Sequence, residues 1–217
     1  MLIATDLHPV RTRHTKYVKQ VNQTSSLLKS GSSNKKLGGF VTKGRWRGMP
    51  IFSLTLEERK TCLMSCEQWN NCYGNNMLFA HRIDHTDPAF IPTLELELAG
   101  LNARYPTGFL VRLHVLGDFY SAEYAQLWQD WLIKYPALHI WGYTHVPVDN
   151  PIGKIVFGMN GKRCVIRASD APDEPLSANV APIEYDIACP QQVQNTESCG
   201  TCALCWDSDK RIGFLPH

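Results

Sequence analysis

Seven of the eight cysteines lie in two groups whose spacing is typical of metal ligands. The first group is Cys62, Cys66 and Cys72, and the second group is Cys189, Cys199, Cys202 and Cys205. Thiolates a few residues apart can converge on one ion or cluster, and sets of three and four match an open and a closed coordination shell. The sequence therefore predicts two sulfur-ligated sites, with chemistry expected at the first. Cys164 stands apart and is predicted to be a small buried side chain.

The alternative for an even number of cysteines is a set of disulfides in a secreted protein. The chain begins MLIATDLHPVRTRHTKY, which lacks the apolar core of a signal peptide, so a reducing compartment is expected. No apolar run approaches the roughly 20 residues needed to cross a bilayer. We therefore expect a soluble, cytoplasmic protein that makes no membrane contact and has no structural disulfides.

The identity of each metal stays open at this stage. Three cysteines can hold a 4Fe-4S iron-sulfur cluster with one iron free for an external ligand, whereas a structural zinc ion needs a fourth ligand, for which His81 or His85 is available. The second group is complete by itself and suits either zinc or a second cluster. In a third arrangement Cys189 is a ligand of the first site, and Cys199, Cys202 and Cys205 form an open set of three ligands. Spacing excludes none of these arrangements.

The charge is unevenly distributed along the chain. Residues 1–50 hold ten Lys or Arg against one acid, and the rest holds twelve basic and nineteen acidic side chains. Residues 23–39 (QTSSLLKSGSSNKKLGG) lack periodicity and are typical of a linker. We predict a basic, partly disordered arm over residues 1–45 and a single α/β domain over residues 46–217. Residues 1–50 are a candidate contact for nucleic acid through counterion release, against the simpler expectation of a solvated terminus.

The hydrophobic pattern predicts strands that alternate with helices. Strands are expected at 50–56, 109–116, 138–146, 163–168 and 183–188, with a weaker one at 154–157; helices are expected at 88–105 and 121–135. Thr55 and Glu58 match a capping box, which predicts a helical turn with Cys62 and Cys66 on one face. This order predicts an α/β fold with a mostly parallel sheet, either open or an incomplete (β/α) barrel, and a cysteine-rich, metal-stapled C-terminus.

Candidate functional residues follow the predicted strands. In parallel α/β folds such residues gather at the carboxyl ends of strands, so the first cysteine group, Gly117, Asp118 and His145 are expected to share one rim. Simpler interpretations exist for each. Asp118 can cap the next helix, Gly117 can permit a tight turn, and His145, like His114, can be a hydrogen-bonded core side chain.

Four runs of sequence resemble one known family. They are TLEERKTCLMSCEQWNNCYGNNM, VRLHVLGDFYSAEYAQLW, LHIWGYTH and ESCGTCALCW. In this order they resemble the phage-associated gene product 88 family over roughly residues 38–217. That family is mostly uncharacterised, so the resemblance implies no activity.

A wider similarity is to radical S-adenosylmethionine enzymes. Those place a three-cysteine cluster loop after the first strand of a partial barrel, and a turn with glycine and an acid after the second. The similarity implies that the first cysteine group holds the 4Fe-4S cluster and that Gly117 and Asp118 contact S-adenosylmethionine. From their positions at predicted strand ends, Asp118 and His145 are the candidate catalytic residues for an unknown substrate. The chain departs from the family's CxxxCxxC spacing, having CxxxCxxxxxC with Asn71 before Cys72. The alternative function is a zinc-stapled module that binds nucleic acid or a protein partner.

Overall fold

The fold is built on one mostly parallel sheet. The structure, a computed structural model, describes residues 12, 14–180 and 186–216. Within these residues the strands are β1 (Lys29–Ser30), β2 (Ile51–Ser53), β3 (Phe109–Leu113), β4 (Leu138–Thr144), β5 (Cys164–Ser169), β6 (Ser177–Val180), β7 (Ile187–Ala188) and β8 (Ile212–Phe214). Their order in the sheet is β1-β2-β3-β4-β5-β6-β8-β7. β1 pairs antiparallel with β2, and every other neighbouring pair is parallel. The predicted α/β class with a mostly parallel sheet is confirmed, and the sheet is open.

Three helices connect the parallel strands at the centre of the sheet. The helices of the described residues are α1 (Glu58–Thr61), α2 (Phe90–Arg104), α3 (Ala122–Lys134), α4 (Pro151–Gly158), α5 (Cys199–Cys202) and α6 (Leu204–Asp207). Ser121 caps α3 by accepting a hydrogen bond from the Tyr124 amide, as predicted, and Asn150 with Pro151 begins α4 in the same way. None of these helices is both long and apolar enough to span a membrane.

The sheet packs against a separate hydrophobic core on each of its two sides. Because side chains alternate along a strand, Phe109 and Val111 of β3 pack with α2, α3 and α4 on one face. Leu110 of β3 and Trp141 of β4 belong to the core on the other face. That second core is closed by residues 37–49 and by residues 189–206, the region of the second cysteine group. Trp206 stacks there on Trp46, with ring centroids 5.9 Å apart, so the C-terminal region packs against the N-terminal segment.

The N-terminal segment is part of this packing. Leu27, Leu28 and Leu37 are each at most 5% exposed, so the linker interpretation of residues 23–39 is wrong. These leucines have no periodicity, so the sequence gives no signal of their burial, yet Leu27 and Leu28 pack in the first core and Leu37 packs in the second. The predicted boundary at residue 45 does not mark a change of packing among the described residues, and residues 1–11 and 13 lie outside them.

Two further local predictions are corrected. The weak strand at 154–157 lies inside α4, because Pro151 starts a helix whose Ile152 and Val156, four residues apart, face the first core. The helical turn expected to present Cys62 and Cys66 on one face ends at Thr61, and Cys62 is extended with φ −88° and ψ 150°. Of the strand predicted at 183–188, residues 187–188 form β7 and residues 181–185 lie outside the described part.

Candidate functional site

The first cysteine group follows β2 and the short helix α1. The Cys62 amide closes the last turn of α1 on the Glu58 carbonyl oxygen at 2.9 Å, and Cys72 begins a 3₁₀ turn over Tyr73–Asn76. Burial raises the pKa of the Cys62 thiol well above its ordinary value, and the negative charges of Asp118, Cys66 and Cys72 raise it further. These charge interactions connect Cys62 with the other two cysteines of the group and with Asp118 in the turn after β3.

Asp118 fixes the ends of two neighbouring strands. Its Oδ1 accepts hydrogen bonds from Thr144 Oγ1 and from the Phe119 amide, both at 2.7 Å, and its Oδ2 accepts one from the His145 amide at 2.8 Å. Burial raises the pKa of this carboxyl group, and these donors act against the shift. Since Ser121 caps α3, Asp118 does not cap it; instead the carboxylate holds the end of β4 against the end of β3.

Gly117 brings this turn against α1. Its φ is +88°, and a Cβ atom there would lie 2.6 Å from Thr61 Oγ1 and 2.8 Å from Leu56 Cβ. The Asp118 amide donates to the same Thr61 oxygen at 3.3 Å. The glycine therefore permits close contact between the turn after β3 and the segment that leads into the cysteine loop.

His145 stands between Asp170 and the cysteine loop. Its Nε2 lies 3.2 Å from Asp170 Oδ2, and its side chain is 25% exposed. Burial alone lowers the pKa of His145, but hydrogen bonds with Asp170 and with Cys66 outweigh it and raise the pKa to about 10. Gln68 of the cysteine loop also donates to Asp170, at 3.2 Å. The loop, the end of β4 and the end of β5 are thus connected by side-chain hydrogen bonds.

A cleft opens beside these residues at the carboxyl rim of the sheet. Its volume is about 750 Å³, and it is lined by residues 144–149 at the end of β4, by Lys154 of α4, by residues 168–171 and Glu174 at the end of β5, and by Ser65 and Glu67 of the cysteine loop. This is the position at which open parallel sheets bind ligands. Asp118, after β3, is hydrogen-bonded to Thr144 and His145 of the cleft wall, whereas the shared rim of all the predicted site residues stays a prediction.

A buried ion pair contacts the backbone of the cysteine loop. Glu58 Oε2 lies 2.8 Å from Arg82 Nε, and both side chains are almost fully buried. Arg82 also donates to the carbonyl oxygens of Gly74 and Met77 in the turn that follows Cys72. The backbone of the loop is therefore anchored just after Cys72, the last of the three cysteines.

The histidines considered as a fourth ligand have other contacts. His81 Nε2 lies 3.1 Å from Thr24 Oγ1 and 3.0 Å from the Ser26 carbonyl oxygen. The ring of His85 packs on that of Tyr120, with ring centroids 4.4 Å apart. A Cys3His site completed by His81 would break the contacts that hold the N-terminal segment.

The second cysteine group is carried by two consecutive short helices. Ser198 caps α5, which contains Cys199 and Cys202, and Ala203 in the left-handed conformation (φ 63°) turns the chain into α6 with Cys205. The three cysteines of the CxxCxxC run therefore lie on two short helices joined by a single left-handed residue.

Cys189 belongs with this second group. It lies in the second core with Cys199 and Cys205; burial raises the pKa values of both of these thiols, and the charge of Cys189 raises them further. Tyr143 of β4 donates a hydrogen bond to Cys205 Sγ at 2.8 Å. The contacts of Cys189 therefore favour the arrangement of three plus four cysteines over the one in which Cys189 joins the first group.

Arg112 of β3 supplies positive charge to the second group. Its guanidinium lies 4.6 Å from the ring of Tyr143, and its Nη1 is buried without a hydrogen-bond partner among the described residues. It acts against the raised pKa values of Cys199 and Cys205. A buried guanidinium nitrogen with no acceptor beside several thiols fits a site that becomes anionic when the thiols bind a metal.

Neither cysteine group has the geometry of a metal site as it stands. In the part of the chain that the structure describes, no three His, Cys, Asp or Glu side chains are placed to hold a metal ion together. All eight cysteines, including the isolated and buried Cys164, are free thiols. The predicted metal-stapled C-terminus is therefore not supported by the coordinates, although the donor types and Arg112 suit it. Disulfides are likewise absent from the described residues, which hold every cysteine of the chain.

Two residues of the site were missed from sequence. Asp170 follows β5 as Asp118 and His145 follow β3 and β4, so the rule for strand ends would have found it. Arg112 interrupts an otherwise apolar strand, and that interruption was the available signal. Its neighbours on the second core, however, come from the far end of the chain and could not be read from the strand itself.

Comparison with known proteins places part of the chain in one family. The gene product 88 family matches residues 22–155, which are 134 of the 217 residues. The matched region contains the first cysteine group, Gly117, Asp118 and His145, and it ends before the second cysteine group. No curated protein and no solved structure matches the chain. The wider similarity to radical S-adenosylmethionine enzymes finds no support in these comparisons.

Proposed function

We propose a function for this chain, which belongs to the gene product 88 family: it is a metal-binding protein whose Cys62, Cys66 and Cys72 hold an iron-sulfur cluster beside a ligand cleft. The observation that supports the proposal is the position of the cysteine loop at the carboxyl rim of the sheet: Gln68 of the loop and His145 both hydrogen-bond with Asp170, and Ser65 and Glu67 of the loop line the cleft. Three protein thiolates leave one iron of a 4Fe-4S cluster available to an external ligand. The cleft is where such a ligand would enter.

The protein residues have defined tasks in this proposal. Asp118 positions the end of β4 through its three accepted hydrogen bonds. His145 donates to Cys66, which stabilises that sulfur in its deprotonated, ligating form. Gly117 lets the turn after β3 approach the cysteine loop. When bound, the cluster supplies one-electron chemistry, and S-adenosylmethionine is the cofactor we propose for the cleft.

The second cysteine group is proposed as a separate site. Cys189, Cys199, Cys202 and Cys205 can complete a shell of four thiolates around zinc or a second cluster. Support comes from Arg112, whose buried positive charge would offset the net negative charge of four thiolates and their metal. Either group would connect β7, α5 and α6 and so stabilise the C-terminal part of the second core.

Elemental analysis of anaerobically purified protein tests both sites. We expect iron and acid-labile sulfide in the native protein, and a Cys66→Ser variant that loses the metal of the first site while keeping that of the second. Cys164→Ser is the matched control, because it removes an isolated thiol of the first core and should leave metal content unchanged. Formation of 5′-deoxyadenosine from S-adenosylmethionine by the reduced protein then tests the cofactor. Equal iron content in Cys66→Ser and native protein would refute the first site.

One observation favours a second candidate, a zinc-stapled module that binds nucleic acid. Lys35, Lys43 and Arg47 are exposed on the segment that covers the second cysteine group, so an ordered surface carries the positive charge. Replacing these three residues by glutamine leaves the buried leucines of the segment in place. The candidate requires colourless, zinc-loaded protein whose affinity for DNA falls with salt and falls again in the triple variant.

A further inference from the structure

We propose that the cleft at the ends of β4 and β5 binds a small organic cation, an amine or a guanidine, as the substrate of this site. The inference rests on the proposed function only in calling that ligand a substrate. The binding itself depends on the shape and charge of the cleft, which are properties of the protein chain alone.

The size and position of the cleft suit a small molecule. Clefts of about 300–1,000 Å³ are typical of small-molecule sites, and this one has a volume of about 750 Å³. Its walls come from two neighbouring strand ends and from the cysteine loop, so it is formed by the same elements that carry the candidate chemistry. His145 lines the cleft, and its side chain is 25% exposed.

The charge of the cleft selects the class of ligand. Glu67, Asp149 and Glu174 line it, and none of the three carboxylates has a hydrogen bond or an ion pair with another described residue. Asp170, by contrast, is already held by His145 and by Gln68. The lining is therefore rich in carboxylates that folding has left without partners.

Positive charge in the cleft is smaller. Of the described lining residues, Lys154 carries the one ammonium group, against the carboxylates of Glu67, Asp149 and Glu174. A cleft walled by protein concentrates the field of its excess charge, so it attracts cations and repels phosphates and carboxylates. Lys154, at the start of the cleft on α4, can still meet an anionic group at the other end of a zwitterionic ligand.

Isothermal titration calorimetry with agmatine tests this assignment, because agmatine carries a guanidine and an amine on a short chain. Glutarate, a dianion of similar length, is the matched negative probe. The variant is Glu174→Gln, which removes one unpaired carboxylate of the lining. The control is Glu197→Gln, which removes an exposed carboxylate outside the cleft.

We expect agmatine to bind and glutarate not to bind. A charge-assisted hydrogen bond contributes enough that Glu174→Gln should weaken agmatine binding by about tenfold, while Glu197→Gln leaves it unchanged. Glutarate binding as tight as agmatine, or equal agmatine affinity in native protein and Glu174→Gln, overturns the proposal. Circular dichroism of each variant verifies folding, and Asp149→Asn replaces Glu174→Gln if the latter does not fold.

Metal content is measured on the same samples. Protein that lacks iron but binds agmatine through Glu174 would sink the iron-sulfur proposal and leave this inference standing. Iron-loaded protein that does not bind agmatine would refute this inference and leave the iron-sulfur proposal standing.

Discussion

The stability of the fold should fall in mild acid because of one buried histidine, His114. The residue follows β3, its Nε2 lies 2.9 Å from the Tyr124 hydroxyl oxygen, and its ring packs on Phe119 at 5.0 Å. Burial, aided by the charge of Arg112, lowers the pKa of His114 to about 3. The folded protein thus keeps this imidazole neutral at a pH where an unfolded chain would protonate it.

The direction and size of the effect follow from that difference. Because the unfolded chain binds the proton more readily, His114 contributes stability that is full above pH 6.5 and is lost as the pH falls from about 6.5 towards about 3. Each pH unit well inside this window costs about 1.4 kcal/mol. Between pH 7 and pH 5 the loss is about 2 kcal/mol, a large part of the stability of an ordinary domain.

Urea unfolding of the native protein and of the His114→Phe variant at pH 5, 6 and 7 measures the contribution of His114 to the free energy of unfolding. At pH 7 the variant should be less stable, because the Tyr124 hydroxyl group loses its partner; towards pH 5 the advantage of the native protein should shrink by about 2 kcal/mol. Tyr124→Phe removes the same hydrogen bond but keeps the imidazole, so it should retain the native pH dependence. A constant difference between native protein and His114→Phe at all three values would refute the reasoning.

Two other substitutions test the packing around the cysteine groups. Gly200→Ala places a Cβ 2.2 Å from a backbone oxygen of the facing N-terminal segment, so it should destabilise the fold by about 1–3 kcal/mol. Gly100→Ala, in open space on α2, should instead stabilise the fold by about 0.5–1 kcal/mol. The urea unfolding midpoints of the two variants measure both changes. Glu58→Gln leaves the buried charge of Arg82 without its partner and should cost about 3–5 kcal/mol in the same assay, while Glu95→Gln, in an exposed pair, should change little.

The central part of the fold was accessible from the sequence. The helix periodicity before Pro106, the Ser121 cap and the continuous apolar run of β3 each depend on neighbours within a few residues. Such local signals predict α2, α3, β3, β4 and β5 at close to their observed bounds. They also predict the rim, since the ends of parallel strands meet by geometry alone.

What could not be read depends on partners distant in sequence. The leucines of residues 23–39 have no periodicity, so their burial follows only from the elements that close over them. The strands β6 and β8 are short and pair with each other across the 31 residues of chain between them, 181–211. Cys62 was expected in a helix, but α1 ends at Thr61, and Leu56 just before it forms a β-bridge with Ile83, a partner that the local pattern does not indicate.

The N-terminal segment and the second cysteine group form one packing unit, and this limits how the family match can be interpreted. The Cys199 and Gly200 amides donate to the carbonyl oxygens of Lys36 and Leu37 at 2.7 and 2.9 Å. Residues 36 and 37 lie inside the matched region, whereas their partners lie beyond it. The second face of the sheet is therefore covered by residues outside the match, and residues 22–155 alone would expose Leu110 and Trp141 to water. It follows that truncation to the matched region is a poor test of any function at the rim, because the loss of the second core would accompany the loss of the second cysteine group.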